Sequence, residues 1–377
     1  IQDIDGHLRG GIPERDIDAL DRYWQVMPAV RAVLFKKFNR PSYYELTATD
    51  VKPAIFGHPE FTAFNDTATK LFTKWEKAST PLLKGFAGNE ASGHPKALIE
   101  TLSEDLLAAF AHAPLLDHYD IYQHIMDYWA ETMQDDCYLI AADGWKAAAQ
   151  IREILKVKDK NNKFVWPEAH DYMKGKRRFK SDLIPATILI ARYFATERDS
   201  IEAIEGELAA VEQQLDEMRE EQSGEDGLLQ DANEANDGEP PKISAKSLKA
   251  AFKKIGDEPE EADARQALKE YAAFLDTQAD AKARLKAAQE DLDAKLDAKY
   301  PELTEDDIKT LVVDDKWLAT LAAAVQGELD RVSQTLTGRI RQLAERYATP
   351  LPQLTIEVAT LASRVEVHLK QMGAVWK

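Results

Sequence analysis

Residues 316 to 377 carry two long apolar stripes on either side of Thr349-Pro350-Leu351-Pro352, and such regular stripes leave few ways to fold. In the second, Leu354, Val358, Leu361, Val365, His368 and Met372 recur at alternating steps of four and three, the heptad seam of a helix that lies along another helix. In the first, Leu318, Leu321, Val325, Leu329, Val332, Leu336, Ile340, Leu343 and Tyr347 step by three, four and four. That 11-residue period suits a nearly straight helix. Stripes this narrow need a second helix to cover them. The expectation is a C-terminal helix pair built for docking, with His368 a polar residue that sets register.

Composition bounds the rest. A chain of 377 residues, 44% hydrophobic, holds two or three domains with packed cores. Cys137 is the only cysteine, so no internal disulfide forms and a reducing, cytoplasmic setting is expected. No apolar run approaches the roughly 20 residues of a membrane span, so no membrane partner is expected. Ile1 is followed at once by charged and turn residues, as in a fragment or a processed chain. The net charge of -18 counts against general nucleic-acid affinity. Charge is uneven, however: Lys146 to Lys180 holds 11 Lys/Arg against 4 Asp/Glu, whereas Glu202 to Asp237 holds 13 acids against one Arg. Only the first of these could face DNA.

Periodicity predicts a mainly α chain in four regions. Residues 1–135 read as helical, with Ile17, Leu20, Tyr23, Trp24 and Met27 on one side of Arg15 to Lys37, and Phe61, Phe64, Leu71 and Trp75 on a second helix. Residues 136–184 read as a small antiparallel β and basic-loop region. Cys137 to Ile140 is β-like, and Asp159-Lys160-Asn161-Asn162 turns a hairpin between Ile154–Val157 and Phe164–Trp166. Residues 185–300 read as a long antiparallel helical hairpin whose acidic tip, 222–243, is expected to be disordered. Residues 301–377 hold the docking pair, with Thr304 and Asp307 capping a short helix and Asp314-Asp315 starting the next.

Catalytic signals are sparse. The chain lacks a Walker-type loop, a Cys-x-x-Cys pair and a His-Glu-x-x-His helix. His112, His118 and His124 recur every six residues, which scatters them around a helix instead of gathering ligands on one face. Asp307-Ile308-Lys309 and Asp314-Asp315-Lys316 fit the Asp-x-Lys fragment of a metal-dependent nuclease, yet both fall at helices, where aspartate caps free amides. Lys174, Lys176, Arg177, Arg178 and Lys180 form either a solvated basic loop or a phosphate-contacting clamp on DNA.

Three stretches together carry a resemblance. They are Asp5 to Pro13 running into Arg15-Asp16-Ile17-Asp18; Met133-Gln134-Asp135-Asp136 with Tyr138-Leu139-Ile140 and, further on, Ser181 to Pro185; and Val312 to Leu318 through Arg346-Tyr347, Pro350-Leu351 and Gly373. Over nearly its whole length the chain resembles the C-terminal part of the modification (M) subunit of type I restriction–modification systems. The resemblance implies a parent subunit that transfers methyl from S-adenosylmethionine to adenine N6 of a flipped base. It also implies partners: a DNA-reading specificity (S) subunit, through it a restriction (R) subunit, and DNA in the assembled complex. The family's Asp-Pro-x-Cys-Gly-type loop and Asn-Pro-Pro-aromatic motif are absent here, and the only Pro-Pro pair is Pro240-Pro241. No catalytic, cofactor or metal residue therefore carries over, and this chain alone is expected to have no methyltransferase activity. What carries over is docking of the C-terminal helices against helical spacers of the S subunit.

Overall fold

The structure, a computed structural model, describes residues 10–37, 42–48, 50–89, 93–224, 227–234, 242–255, 261–349 and 351–372. Asp5 to Arg9, Pro240, Pro241, Pro350 and Gly373 lie outside them. The chain is mainly α with a few small antiparallel sheets, as its periodicity predicts. It divides into two units, the first built from Ile1–Gly144 with Val312–Lys377 and the second from Trp145–Leu311. The C-terminal pair thus belongs with the N-terminal region, and the four sequential regions are redrawn accordingly.

In the first unit, Arg15 to Lys37 is not one helix. It breaks into α1 (Glu14–Asp18), α2 (Asp21–Trp24) and α3 (Pro28–Leu34), because Pro28 restricts Met27 before it and fixes a new first turn. The predicted apolar side is right nonetheless: Ile17, Leu20, Tyr23, Trp24 and Met27 are all buried. The strands β1 (Ile12–Pro13), β2 (Phe35–Lys37) and β3 (Tyr43–Leu46) form a sheet in the order β1-β3-β2, an addition to a region read as wholly helical. After α4 (Val51–Phe56) comes α5 (Pro59–Gly85). Its Phe61, Phe64, Ala68, Phe72, Trp75 and Leu83 turn inward. It packs on α6 (Pro95–Phe110), and Trp75 Nε1 donates to the Leu102 carbonyl at 3.2 Å. His58 and His94 each accept a backbone amide at 3.2 Å through Nδ1, so both serve as helix caps.

Helix α7 (His118–Tyr128) runs through a π-helical turn, Trp129–Met133, into α8 (Gln134–Asp143). Cys137 to Ile140 is therefore helical, which corrects the β reading of that stretch. Gly144, at φ 78°, ends the helix.

The second unit opens with α9 (Trp145–Ala148). Its sheet has the order β4-β8-β7, from β4 (Ile151–Ile154), β7 (Tyr172–Lys174) and β8 (Arg177–Ser181). A separate ribbon pairs β5 (Val157–Lys158) with β6 (Phe164–Val165) across the expected turn. Helix α10 (Ala186–Tyr193) gives way at Phe194 to α11 (Ala195–Gln222), so the single long helix expected from 185 is broken once. α12 (Ala245–Lys254) starts at a capping box on Ser244, and α13 (Ala262–Glu302) returns along α11. Ion pairs join Glu197 to Lys295 at 2.8 Å, Glu207 to Arg284 at 2.7 Å and Glu212 to Lys282 at 3.0 Å. Numbers rise on one strand of the pairing as they fall on the other, which fixes the antiparallel register.

The described part of the acidic tip is folded, against expectation. Leu229 and Ala232 are fully buried with Val211, Leu215, Leu248, Leu268 and Tyr271, because α12 supplies an apolar lid that the tip alone lacks. α14 (Glu305–Lys309) follows, with Thr304 and Asp307 in the expected capping box. It continues as a π-helical stretch, Thr310–Leu318, which leads into α15 (Ala319–Ala348) and then α16 (Leu351–Gln371).

Candidate partner-docking surface

The two C-terminal stripes have opposite fates. On α15 and the turn before it, Leu318, Leu321, Val325, Leu329, Val332, Leu336, Ile340, Leu343 and Tyr347 are all buried. The cover comes from α4, α5, α7 and β1 of the same unit. This corrects the docking expectation for that stripe, because its partner helices are the chain's own. Polar contacts fasten its edges. Tyr347 donates its hydroxyl to Asp16 Oδ2 at 2.6 Å, His124 Nε2 lies 2.9 Å from Glu328 Oε1, and Arg331 pairs with Asp120.

On α16 no residue is buried. Leu354 is 41% exposed, Leu361 55%, Val365 56%, Val358 65% and Met372 82%. At about 100° per residue these five positions lie within a narrow arc of the helix surface. Most helical stability in proteins comes from packing an apolar face, and none of the 21 residues of α16 is buried. Covering each of these side chains would contribute up to about 1.5–3 kcal/mol.

Asp136, Lys316 and Trp317 form a buried group in the first unit. Lys316 Nζ lies 2.7 Å from Asp136 Oδ2, and Trp317 Nε1 donates to the same oxygen at 2.8 Å. Burial pushes the Asp136 carboxyl up, with Lys316 and Trp317 opposing it. Burial also raises the Tyr128 hydroxyl to about 12 and lifts the Cys137 thiol far above its ordinary range. Asp314 turns away to Lys84 at 2.6 Å. Asp314-Asp315-Lys316 therefore does not start a helix, as expected, but sits inside a continuous helical run whose start is Thr304. Asp314 and Lys316 point to different partners, and among the described residues no cluster of three metal-ligating side chains occurs.

The basic residues from Lys174 to Lys180 are largely engaged within the second unit. Lys174 pairs with Asp297 at 2.7 Å, Arg177 with Glu153, and Lys180 with Glu168 at 2.8 Å. Arg178 lies 4.4 Å over the Trp166 ring. Lys176 is exposed beside Gly175, whose φ of 65° makes the turn. Arg152 bridges Glu168 and Asp182. These cations fasten the sheet and brace it on α13, which moves the weight of any phosphate contact off them. The ribbon beside them forms across the predicted turn, but sequence reasoning missed that its apolar side chains are exposed; the alternation of lysine with apolar residues from 155 to 158 was the available signal.

Comparison with known proteins returns no match at three levels: no family model, no curated protein and no solved structure.

Proposed function

We propose that this chain is the C-terminal assembly region of a type I modification (M) subunit, and that α16 docks along helical spacers of the DNA-reading S subunit. The observation that carries the reading is a heptad face on a helix with no buried residue, attached to a unit whose other apolar stripe is already satisfied. Further support comes from how the resembling stretches meet. Asp136 binds Lys316 and Trp317, and Asp16 binds Tyr347, so residues of all three stretches form the hydrogen-bonded framework of one unit. The parent subunit would methylate adenine N6 with S-adenosylmethionine. This chain lacks the motifs for that cofactor, and none of its residues is assigned to it. The R subunit would join through the S subunit, with DNA held by the whole assembly.

The test is a pull-down with an S subunit. Leu361→Asp with Val365→Asp places two charges in the seam and should abolish recovery, while circular dichroism stays unchanged because both sites are exposed. Undiminished recovery rejects α16 as the dock. Calorimetry should register no S-adenosylmethionine binding by this chain, and heat comparable with that of a full-length subunit would reject the boundary drawn here.

A further inference from the structure

The β5–β6 ribbon presents two contrasting faces to solvent. Val157 pairs across the ribbon with Val165, and Lys158 with Phe164, so the valines share one face and Lys158 and Phe164 the other. Phe164 is 66% exposed and Leu155, just before the ribbon, 69%. Val157 and Val165 are exposed as well, so the apolar groups cluster on one element instead of being scattered singly, and such clusters mark contact sites. Cations accompany them: Lys156 lies 5.0 Å over Trp166 and Lys158 5.6 Å over Phe164, with Arg178 on Trp166 as well. From Ile154 to Pro167 there are four lysines and a single acid, Asp159. That acid is occupied by the turn, since Asp159 Oδ1 accepts the amides of Asn161 and Lys163 at 2.8 Å each. Asn162 at φ 61° completes the turn and holds the tip in one shape. Lys160 and Lys163 flank it.

We infer that this ribbon is a contact for duplex DNA, with Lys156, Lys158, Lys160 and Lys163 on phosphates and Phe164 against the groove wall or a base step. A two-stranded ribbon fits the major groove, which is about 12 Å wide. Positive charge on β5, at the tip and just before β6 complements phosphates on either side of a groove. A single strand fits less well. It requires successive open aromatic platforms, and here the Trp166 ring is already covered by Lys156 and Arg178, leaving Phe164 alone. The net charge of -18 is compatible with such a contact, because acids farther than about 10 Å from the ribbon are screened at ~0.1 M salt. The inference stands apart from subunit docking, since DNA binding by this chain requires no S subunit.

The experiment is fluorescence anisotropy of the whole chain with a labelled duplex and with a single strand of equal length, over about 50–200 mM salt. Duplex binding should appear at the low end and weaken steeply with salt. Lys158→Glu with Lys163→Glu should weaken it at least ~10-fold and reduce the salt slope by about 2. Phe164→Ala should weaken it several-fold with the slope unchanged. All three positions are exposed, so circular dichroism should be unaltered. Absence of duplex binding at low salt, wild-type affinity in both variants, or tighter binding of the single strand overturns the inference. So does co-sedimentation with phosphatidylserine vesicles that requires Lys158 and Phe164 while DNA binding does not.

Discussion

Lys316 Nζ lies within 2.8 Å of both carboxylate oxygens of Asp136, joining residues 180 positions apart in a site closed to water. Removing one member of such a pair leaves the other charge buried without compensation, which costs about 3–5 kcal/mol. Asp136→Ala should therefore lower the urea midpoint of unfolding by a matching amount. Asp136→Asn retains an acceptor for Trp317 and should fall between the two. A midpoint equal to wild type for Asp136→Ala would show that the pair contributes nothing.

Tyr347 and Asp16 close the other end of the same helix. Tyr347→Phe deletes one hydroxyl and leaves the Asp16 carboxylate, which is only 12% exposed, without its 2.6 Å donor. A loss of about 1.5–3 kcal/mol is expected for a hydrogen bond to a charged group. Thermal unfolding measures it, and an unshifted Tm would count against this clasp.

Two glycines should respond in opposite directions. Gly88 has φ 64°, and a Cβ there would meet the Ala141 Cβ at 2.1 Å. Gly88→Ala should cost more than about 1 kcal/mol, from backbone strain together with overlap. Gly206 lies inside α11 with nothing within 4 Å of an added Cβ, so Gly206→Ala should stabilise by about 0.5–1 kcal/mol. Chemical denaturation of the pair decides the matter, and equal effects would contradict the structure.

The Glu168 carboxyl is held at about 2, below its ordinary 4.5, by hydrogen bonds from Arg152 and then Lys180. A depressed carboxyl supports folding above its ordinary value and withdraws that support as pH falls toward the folded one. Stability should thus decline between about pH 5 and 2, and Glu168→Gln should flatten the decline. The effect is modest because the pair is partly solvated. A pH profile of melting that is identical in both proteins would disprove this role.

How much of this could be read from the chain depends on how far the deciding contact lies along it. Helices α11 and α13 were legible because an amphipathic period is a local property, and so was the Thr304 start. The α15 stripe announces that it is covered but not by what, because Ile121, Ile55 and Ile12 precede it by some 200 residues or more. Cys137 to Ile140 misleads because four apolar residues fit either period, and the π turn before them leaves no local mark. Composition makes the acidic tip look unstructured, whereas Leu229 is secured by Leu248 and Leu268 on other helices. The basic loop looks free because Asp297, which neutralises Lys174, is 123 residues away. For docking, the heptad of α16 was fully legible; its exposure was not.

The second unit is written into the chain as one uninterrupted passage inside the first, and this orders events during synthesis. Residues 145–311 contain every segment of their own unit and can fold as soon as they have emerged. The earlier residues cannot complete their unit then, since the helix that covers α4, α5 and α7 is translated about 200 residues after Gly144. At about 5–20 residues per second that is a delay on the order of 10–40 s. Throughout it the faces of α4, α5 and α7 that α15 covers in the folded unit lack that cover, and exposed apolar surface of this kind is what chaperones and misdirected helices bind.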